Sequence, residues 1–289
     1  MAVEWRALRA SDVPAAFALS RIAGWNQTEA DWRDYLSHEP DGCVAAEVDG
    51  ALGGTATSIR YGEAMGWVGM VLVHPGCRRR GLGTELLRRT IHYLTGRGTR
   101  SVKLDATPAG REVYLPLGFR DESVVTRFEG TAPGRQADDP PDEPQPGVEP
   151  LGSAELPAAA DLDAEAFGVR RFGVLSALSR RNPAFCFVVR EGREVRGYLI
   201  AREGREAIQL GPSVASDPVA AQRLFQAFLH AAHGRRVFLD LPAGNLAGTG
   251  LLERHGFTVQ RKFTRMVLGE AGPSGREDII YSTSGAEKG

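Results

Sequence analysis

Short apolar runs of period two alternate with amphipathic stretches of period 3.6, and their order predicts the architecture. An apolar run from Val3 to Leu8 is followed by a helix opened by Ser11 and closed near Gly24. A second helix is capped by Thr28, with Asp31 three residues on. Cys43–Val48 and Leu52–Ile59 flank Asp49-Gly50, a residue pair suited to a two-residue hairpin turn, and Trp67–Val73 is a third apolar run. Next come a loop, a helix from Leu82 to Leu94 ending at Gly96, a strand Ser101–Ala106, a short helix Ala109–Leu117 and a strand near Val124–Phe128. Strand, helix and strand in that order predict a crossover connection, hence a parallel pair inside a mixed sheet.

The stretch between Thr131 and Pro150, "TAPGRQADDPPDEPQPGVEP", holds six prolines and five acidic residues with almost nothing to bury. It cannot offset its ordering entropy by forming a core, so residues 131–148 are expected to be a linker. The grammar then repeats: helices near Leu156–Ala166 and Arg171–Arg180, strands Phe185–Arg190, Val195–Arg202 and Ala207–Leu210, a helix Pro218–Ala232, a strand Val237–Leu241 and a helix Leu246–Arg254. "YLPLGF" (Tyr114–Phe119) and "LERHGF" (Leu252–Phe257) are short helices ended by Gly and an aromatic residue at matching places after a strand, which suggests duplication. Ile279–Ser282 is expected to add a last edge strand. The domains expected are 1–130 and 149–289.

Length agrees with two domains, since 289 residues exceed the usual single-domain span of roughly 100–200. Charge narrows the partners: 35 Lys+Arg against 36 Asp+Glu leave −1, which gives no global attraction to nucleic acid or anionic membrane. No apolar run approaches the roughly 18 residues of a membrane span. The start, "MAVEWRALRASDVP", lacks the uninterrupted apolar stretch of an export signal. Cys43, Cys77 and Cys186 are odd in number, widely separated and without metal-ligand spacing, which suits a reducing cytoplasm and no metal.

The candidate chemistry lies in "HPGCRRRGLGTELL", residues His74–Leu87. A helix N-terminus exposes unpaired N–H groups, glycine lets a large anion approach them, and arginine adds planar charged donors, so a diphosphate is the natural ligand. Gly76 and Gly81 have P-loop spacing, but Leu82-Gly83 stands where Lys-Ser/Thr would be needed. Gly81-Leu82-Gly83 is followed by Leu86 with no third glycine, so a dinucleotide fingerprint fails as well.

The pattern Arg78-x-x-Gly81-x-Gly83, preceded by the strand "VGMVLVHP" and followed by the helix "TELLRRTIHYL", resembles the acyl-CoA loop of the GNAT N-acetyltransferase superfamily. Downstream, Tyr114-x-x-x-Gly118-Phe119 resembles that superfamily's short catalytic helix. The resemblance covers residues 3–130 and implies an α/β fold with a mixed sheet splayed open between Trp67–Val73 and Ser101–Ala106. It also implies acetyl-CoA as cosubstrate, with pyrophosphate on the amides of Arg79, Arg80, Gly81, Leu82, Gly83 and Thr84, aided by Arg78. The thioester and pantetheine arm would meet backbone groups of Val71, Leu72 and Val73, and Tyr114 would be the general acid toward the CoA sulfur.

The implied reaction is attack of a primary amine on the thioester, which also needs a proton acceptor. Many family members carry a glutamate on the strand equivalent to Trp67–Val73, and "WVGMVLV" has none. Glu63, Asp105, His74 and a water-mediated route are all open, each residue having a plain structural role as alternative. Trp25 is either an aromatic wall of the acceptor pocket or a staple for the second helix, and Asn26 either orients an acceptor or caps a turn.

Residues 149–270 resemble, more loosely, the C-terminal domain of tandem bacterial GNAT proteins, through "DLDAEAFGVRR", "IQLGPSVASDP", "NLAGTGLLERHGF" and "FTRM". The loop position there has no Arg-x-x-Gly-x-Gly, and Leu252 stands where Tyr114 does, so a second copy without its own acetyl-CoA site is expected. Arg170, Asp217, Asp240 and Arg265 are its candidate pocket contributors. The expected partners are acetyl-CoA and an amine of a small molecule, with no nucleic acid and no membrane, in a monomer or homodimer. An acyl-CoA-binding regulatory module with little activity is the alternative.

Overall fold

The apolar runs form strands, and the amphipathic stretches form helices that cover them. The structure, a computed structural model, describes residues 2–134, 145–273 and 275–289. Its elements run β1 (Val3–Ala7), α1 (Val13–Ile22), α2 (Glu29–His38), β2 (Val44–Val48), β3 (Ala51–Tyr61), β4 (Met65–Val73), α3 (Leu82–Gly96), β5 (Ser101–Ala106), α4 (Pro108–Tyr114) and β6 (Arg120–Thr131). They continue with β7 (Val148–Pro150), α5 (Leu156–Phe167), α6 (Phe172–Ser179), β8 (Cys186–Glu191), β9 (Glu194–Arg202), β10 (Ile208–Ala215), α7 (Pro218–Ala231), β11 (Arg236–Pro242), α8 (Leu246–Arg254), β12 (Thr258–Gly269) and β13 (Ile280–Ser282). Residues 135–144 of the expected linker lie outside the described residues.

Local chemistry accounts for the boundaries. Thr28 and Asp31 close a capping box on α2, the Thr28 N–H donating to Asp31 Oδ2 at 2.7 Å. Asp49 and Gly50 take φ of 49° and 84°, the two positive values of a type I′ hairpin turn between β2 and β3. On α3, Leu82, Leu86, Leu87, Thr90 and Leu94 make a buried stripe, in which Leu87 and Leu94 pack with Val68 of β4 and Val102 and Leu104 of β5, and Leu82 and Leu86 with Ala46 and Val48 of β2 and Ala56 of β3.

The chain divides into two units that are not single stretches of sequence. One is Met1–Glu122 with Thr264–Pro273 and Ala286–Gly289; the other is Ser123–Phe263 with Ser274–Gly285. In the first, the strand order is β1-β2-β3-β4-β5, and the next place beside β5 is taken by Thr264–Gly269 of β12, antiparallel, with Thr264 opposite Ala106 and Gly269 opposite Ser101. In the second, Val125–Thr131 of β6 pairs antiparallel with β11, and the order runs on through β10, β9, β8 and β7. Each unit thus takes its last strand from beyond the other's short helix. This differs from the expected boundaries at 130 and 149. The turns Gly118-Phe119 and Gly256-Phe257 start β6 and β12 alike, and local sequence does not encode which β5-like edge each strand will meet.

Within each unit one strand pair is parallel and short. In the first, Gly66 and Trp67 pair with Val102 and Lys103, and β4 and β5 are not paired with each other beyond that. In the second, Ile208–Leu210 of β10 pair with Val237–Leu239 of β11. Past Leu210, β10 is joined instead by β13, Ser213 facing Ser282, and the Thr283 N–H donates to the Asp240 carbonyl of β11 at 2.8 Å. The expected edge strand therefore lies inside the second unit's splay. The chain supplies a strand there because β11 has turned away from β10.

The strand Thr264–Gly269 also brings charge into the first unit. Arg265 donates to both Asp105 oxygens at 2.9 and 3.0 Å, with the Asp105 side chain fully buried, and its guanidinium lies 4.8 Å from the centre of the Trp67 ring. Without residues 264–269 that carboxylate loses the guanidinium that holds both its oxygens, and β5 becomes a bare edge. A fragment of residues 1–130 is therefore expected to show no cooperative melting transition by circular dichroism, whereas the full chain does. A sharp transition in the fragment would contradict the strand assignment.

Candidate active site

The splay in the first unit begins where β4 changes register. Thr55 of β3 faces Leu72, but Thr57 faces Gly69, so β4 carries one extra residue. Met70 takes φ 49°, unusual for a residue with a side chain, and Thr55 holds it by donating its hydroxyl to the Met70 carbonyl at 2.9 Å. Sequence reasoning missed this bulge, because nothing in "WVGMVLV" marks it. It falls immediately before Val71, Leu72 and Val73, the residues expected to meet the thioester arm, on the length of β4 that β5 has left.

From Val73 the chain passes through a 3-10 turn at Pro75–Cys77 into α3. His74 is the cap of that turn, its Nδ1 accepting from the Gly76 N–H at 3.2 Å. Arg78 lies against the strand end, its Nε donating to the Val73 carbonyl at 3.1 Å. Arg79 and Gly81 take φ of 60° and 79°. This left-handed pair turns the chain sharply onto the axis of α3. Gly81 is the N-cap and has no side chain to accept a hydrogen bond, so Leu82, Gly83 and Thr84 present their N–H groups without a side-chain cap. Arg78, Arg79, Arg80 and Gly81 are exposed. Three guanidinium groups and a positive helix end therefore share one loop, a setting that favours an anion.

Tyr114 closes α4, capped at its other end by Thr107, whose hydroxyl accepts from the Gly110 N–H at 3.2 Å. The Tyr114 ring lies 6.0 Å from that of Phe119 and belongs to the rim of the apolar cluster that also takes in Val71. Its hydroxyl folds over Gly110, where a Cβ would come within 3.2 Å of the phenol oxygen. Burial pushes the phenol up to about 12, so it carries its proton throughout the neutral range. A protonated phenol beside an apolar arm can give its proton to a departing thiolate.

The other expected residues are spread apart. Glu63 precedes β4 at the paired end; its side chain is 75% exposed, its carboxylate is 3.9 Å from Arg100, and its carbonyl accepts from the Arg100 N–H. Asp105 is engaged on both oxygens by Arg265, and His74 on its Nδ1 by the loop. Trp25 is half-buried and Asn26 buried in the connection between α1 and α2. Beside them is a residue that sequence reasoning missed: Gln27 is buried, and its Oε1 accepts no hydrogen bond among the described residues.

A second missed element is the segment Ala286–Gly289. It lies on the face of β4 away from α3, the face carrying Trp67 and Gly69. Trp67 Nε1 donates to the Ala286 carbonyl at 3.0 Å, and the Tyr61 hydroxyl to the Lys288 carbonyl at 2.7 Å. The fully buried Lys288 ammonium is 3.4 Å from Asp34, 3.9 Å from Asp31, 3.8 Å from Glu287 and 4.4 Å from the centre of the Tyr35 ring. "AEKG" has no apolar period, so only the fold reveals it.

In the second unit, Asp240 accepts from Arg127 on both oxygens at 2.7 Å and Asp217 caps α7 through the N–H groups of Val219 and Ala220. Those backbone bonds, that to Ala220 first, hold the Asp217 carboxyl below its usual range. Arg170 pairs with Asp161 at the surface, and Arg265 belongs to the first unit. All four expected pocket contributors thus hold ion pairs or a cap. Leu252 is core, and the cavity it lines with Leu210, Phe225 and Tyr281 has a volume of about 10 Å³, room for one water at most.

Two family models match the chain: that of the Acetyltransferase (GNAT) family over residues 5–119, and that of an Acetyltransferase (GNAT) domain over residues 159–282. Holothin acyltransferase from Pseudoalteromonas sp. (strain SANK 73390) is 24% identical over 266 residues, which are 92% of this chain and 87% of that protein. An acetyltransferase of Pectobacterium atrosepticum is 31% identical over 106 residues, 35% of this chain and 74% of that protein. The crystal structure of a proposed acetyltransferase from Pyrococcus horikoshii matches with a TM-score of 0.82 over 99% of this chain and 96% of that one; at 23% identity this is a likeness of fold.

The raised Tyr114 pKa makes a checkable statement. A phenol whose folded value lies above its unfolded one favours the folded state undiminished below pH 10, and that contribution disappears as pH rises through about 12. In an ultraviolet titration, wild type minus Tyr114→Phe is expected to show one phenol ionising well above the usual value of 10. An ionisation near 10 would place the hydroxyl in water.

Proposed function

The chain belongs to the GNAT acetyltransferase family and is an acyltransferase, and from that premise we propose that its first unit transfers the acetyl group of acetyl-CoA to a primary amine of a small molecule. The observation that carries this reading is the parting of β4 from β5 before the arginine and glycine loop, with a protonated Tyr114 packed on the apolar cluster that also takes in Val71.

In this reading the N–H groups of Arg79 to Thr84 hold the pyrophosphate, and Arg78 adds a charged donor. Backbone groups of Val71, Leu72 and Val73 hold the pantetheine arm and polarise the thioester carbonyl. The amine nitrogen attacks the carbonyl carbon, and the developing oxyanion is stabilised by backbone N–H groups fixed in place by the bulge. The carbon–sulfur bond then breaks, and Tyr114 protonates the thiolate. Trp25, Asn26 and Gln27 line the acceptor side.

The second unit takes no cofactor. Residues Ile280–Thr283 fill its splay, its loop lacks the Arg-x-x-Gly-x-Gly pattern, and Leu252 has no proton to give. Its contribution is β6-to-β11 pairing and the chain that carries Thr264–Gly269 back to the first unit.

Calorimetric titration of acetyl-CoA is expected to give one site per chain; two sites would overturn the reading of the second unit, and none the reading of the first. Arg78→Ala should weaken binding about tenfold through loss of a charge-assisted bond, and Gly83→Glu more, by placing a carboxylate at the anion site. Thiol release, corrected for hydrolysis, is then followed with spermidine, tryptamine, kanamycin and holothin, the last chosen from the relative's name. Tyr114→Phe should lower kcat about 100-fold with the acetyl-CoA Kd unchanged. An unchanged kcat would remove Tyr114 from the mechanism.

A further inference from the structure

Attack on a thioester needs a neutral amine, and most primary amines are ammonium ions at pH 7, so a group near the acceptor must take a proton. The strand that borders the acceptor carries no carboxylate. Four other carboxylates of the first unit have side chains at most 7% exposed. Asp105 is held on both oxygens by Arg265. Asp31 accepts from the Thr28 N–H and hydroxyl at 2.7 and 2.9 Å and so serves the cap of α2. Asp34 is 3.3 Å from His38 and 3.4 Å from Lys288, the nearest of the three carboxylates around that ammonium and so its main counter-charge. The fourth is Glu287.

Glu287 lies against β4 at Gly69. A Cβ on residue 69 would stand 2.8 Å from the Glu287 carbonyl oxygen and 3.0 Å from its Cα and Cβ, closer than real side chains pack. Gly69 precedes the bulged Met70, and Val71 is two residues on, within about 7 Å along a strand. A side chain on β4 at this point and the segment Ala286–Gly289 therefore exclude each other. The segment puts a glutamate where the strand has a glycine.

We propose that Glu287, brought to Gly69 of β4 by the segment Ala286–Gly289, is the catalytic residue that accepts the proton of the incoming ammonium group. The step is balanced within the reaction already described: the N–H bond of the ammonium breaks, its electron pair stays on nitrogen for attack on the thioester carbon, and the proton goes to a Glu287 carboxylate oxygen. Neighbouring charges support the geometry. The Lys288 ammonium is 3.8 Å from Glu287 Oε1, and Asp31, Asp34 and, through Asp34, His38 surround that lysine from α2. The Tyr61 hydroxyl and Trp67 Nε1 fix the backbone on either side, so the carboxylate is carried on an anchored segment.

This inference rests on the acetyl-transfer reading, and the experiment separates the two. Wild type, Glu287→Gln and Glu287→Asp are compared with the fastest of spermidine, tryptamine, kanamycin and holothin, from pH 6 to 10, with acetyl-CoA binding and thermal melting measured for each. Glu287→Gln keeps the shape of the side chain and leaves Asp31 and Asp34 beside Lys288, so it is expected to melt somewhat below wild type in a single cooperative transition and to bind acetyl-CoA equally. Its kcat/KM for the amine should fall about 100-fold at pH 7. The deficit should shrink toward pH 10, where the amine arrives without its proton, a change that a packing role would not produce. Glu287→Asp, which keeps the charge, should recover part of the activity. Equal kcat/KM and pH profile in wild type and Glu287→Gln would overturn the proposal and leave the acetyl-transfer reading standing. A deficit constant with pH would overturn it too, as the mark of packing alone. Acetyl-CoA binding with no transfer by wild type to any of the four amines would overturn both.

Discussion

The parallel pairing of β4 with β5 lasts for two residue pairs, Gly66–Val102 and Trp67–Lys103, and everything in the first unit follows from its ending there. A parallel ladder that stops releases the backbone groups of the next residues for other partners. Two features keep it from closing again. The bulge at Met70, pinned by the Thr55 hydroxyl, shifts the register of β4, and the Asp105–Arg265 pair fixes the far end of β5 to Thr264–Gly269 instead. Both are buried, so reversing them would leave a polar group unsatisfied.

The second unit has the same parting of β10 from β11 and a different use of it. Residues Ile280–Thr283 enter there, Thr283 donating to Asp240 and Ser282 to the Leu210 carbonyl at 2.9 Å. One scaffold thus occurs in two forms: in the first unit β5 pairs with β4 only at Gly66 and Trp67, and in the second the chain itself takes the edge that β11 has left. After leaving the second unit, the same stretch ends in Ala286–Gly289 against β4 of the first. A buried lysine needs compensating charge and has it in Asp31, Asp34 and Glu287, which ties α2 to this segment.

Much of the first unit was legible in order of residues. The capping box at Thr28, the Asp49-Gly50 turn, the stripe along α3 and the glycine entry to that helix are all local, each set by residues within a few positions of one another. The bend of the arginine and glycine loop into α3 was legible for the same reason. The proton acceptor was not: Glu63, Asp105 and His74 are close to the loop or the strand ends in sequence, whereas Glu287 is more than 200 positions from Gly69. The strand partners were hidden likewise, because "LGF" and "HGF" start β6 and β12 with the same signal.

What the sequence determined by itself was the alternation of strands and helices, the duplication, the parting of strands implied by its family resemblance, and the loop with its arginines and glycines, since capping, turn geometry and amphipathic period act over short distances. Tertiary structure alone decided which edge each late strand joined, that the second splay would be filled by residues 280–283, and that Glu287 and Lys288 would be buried beside β4. Those outcomes depend on which distant edges and charges are left unsatisfied once the local elements have formed, and one linear order of residues does not state them.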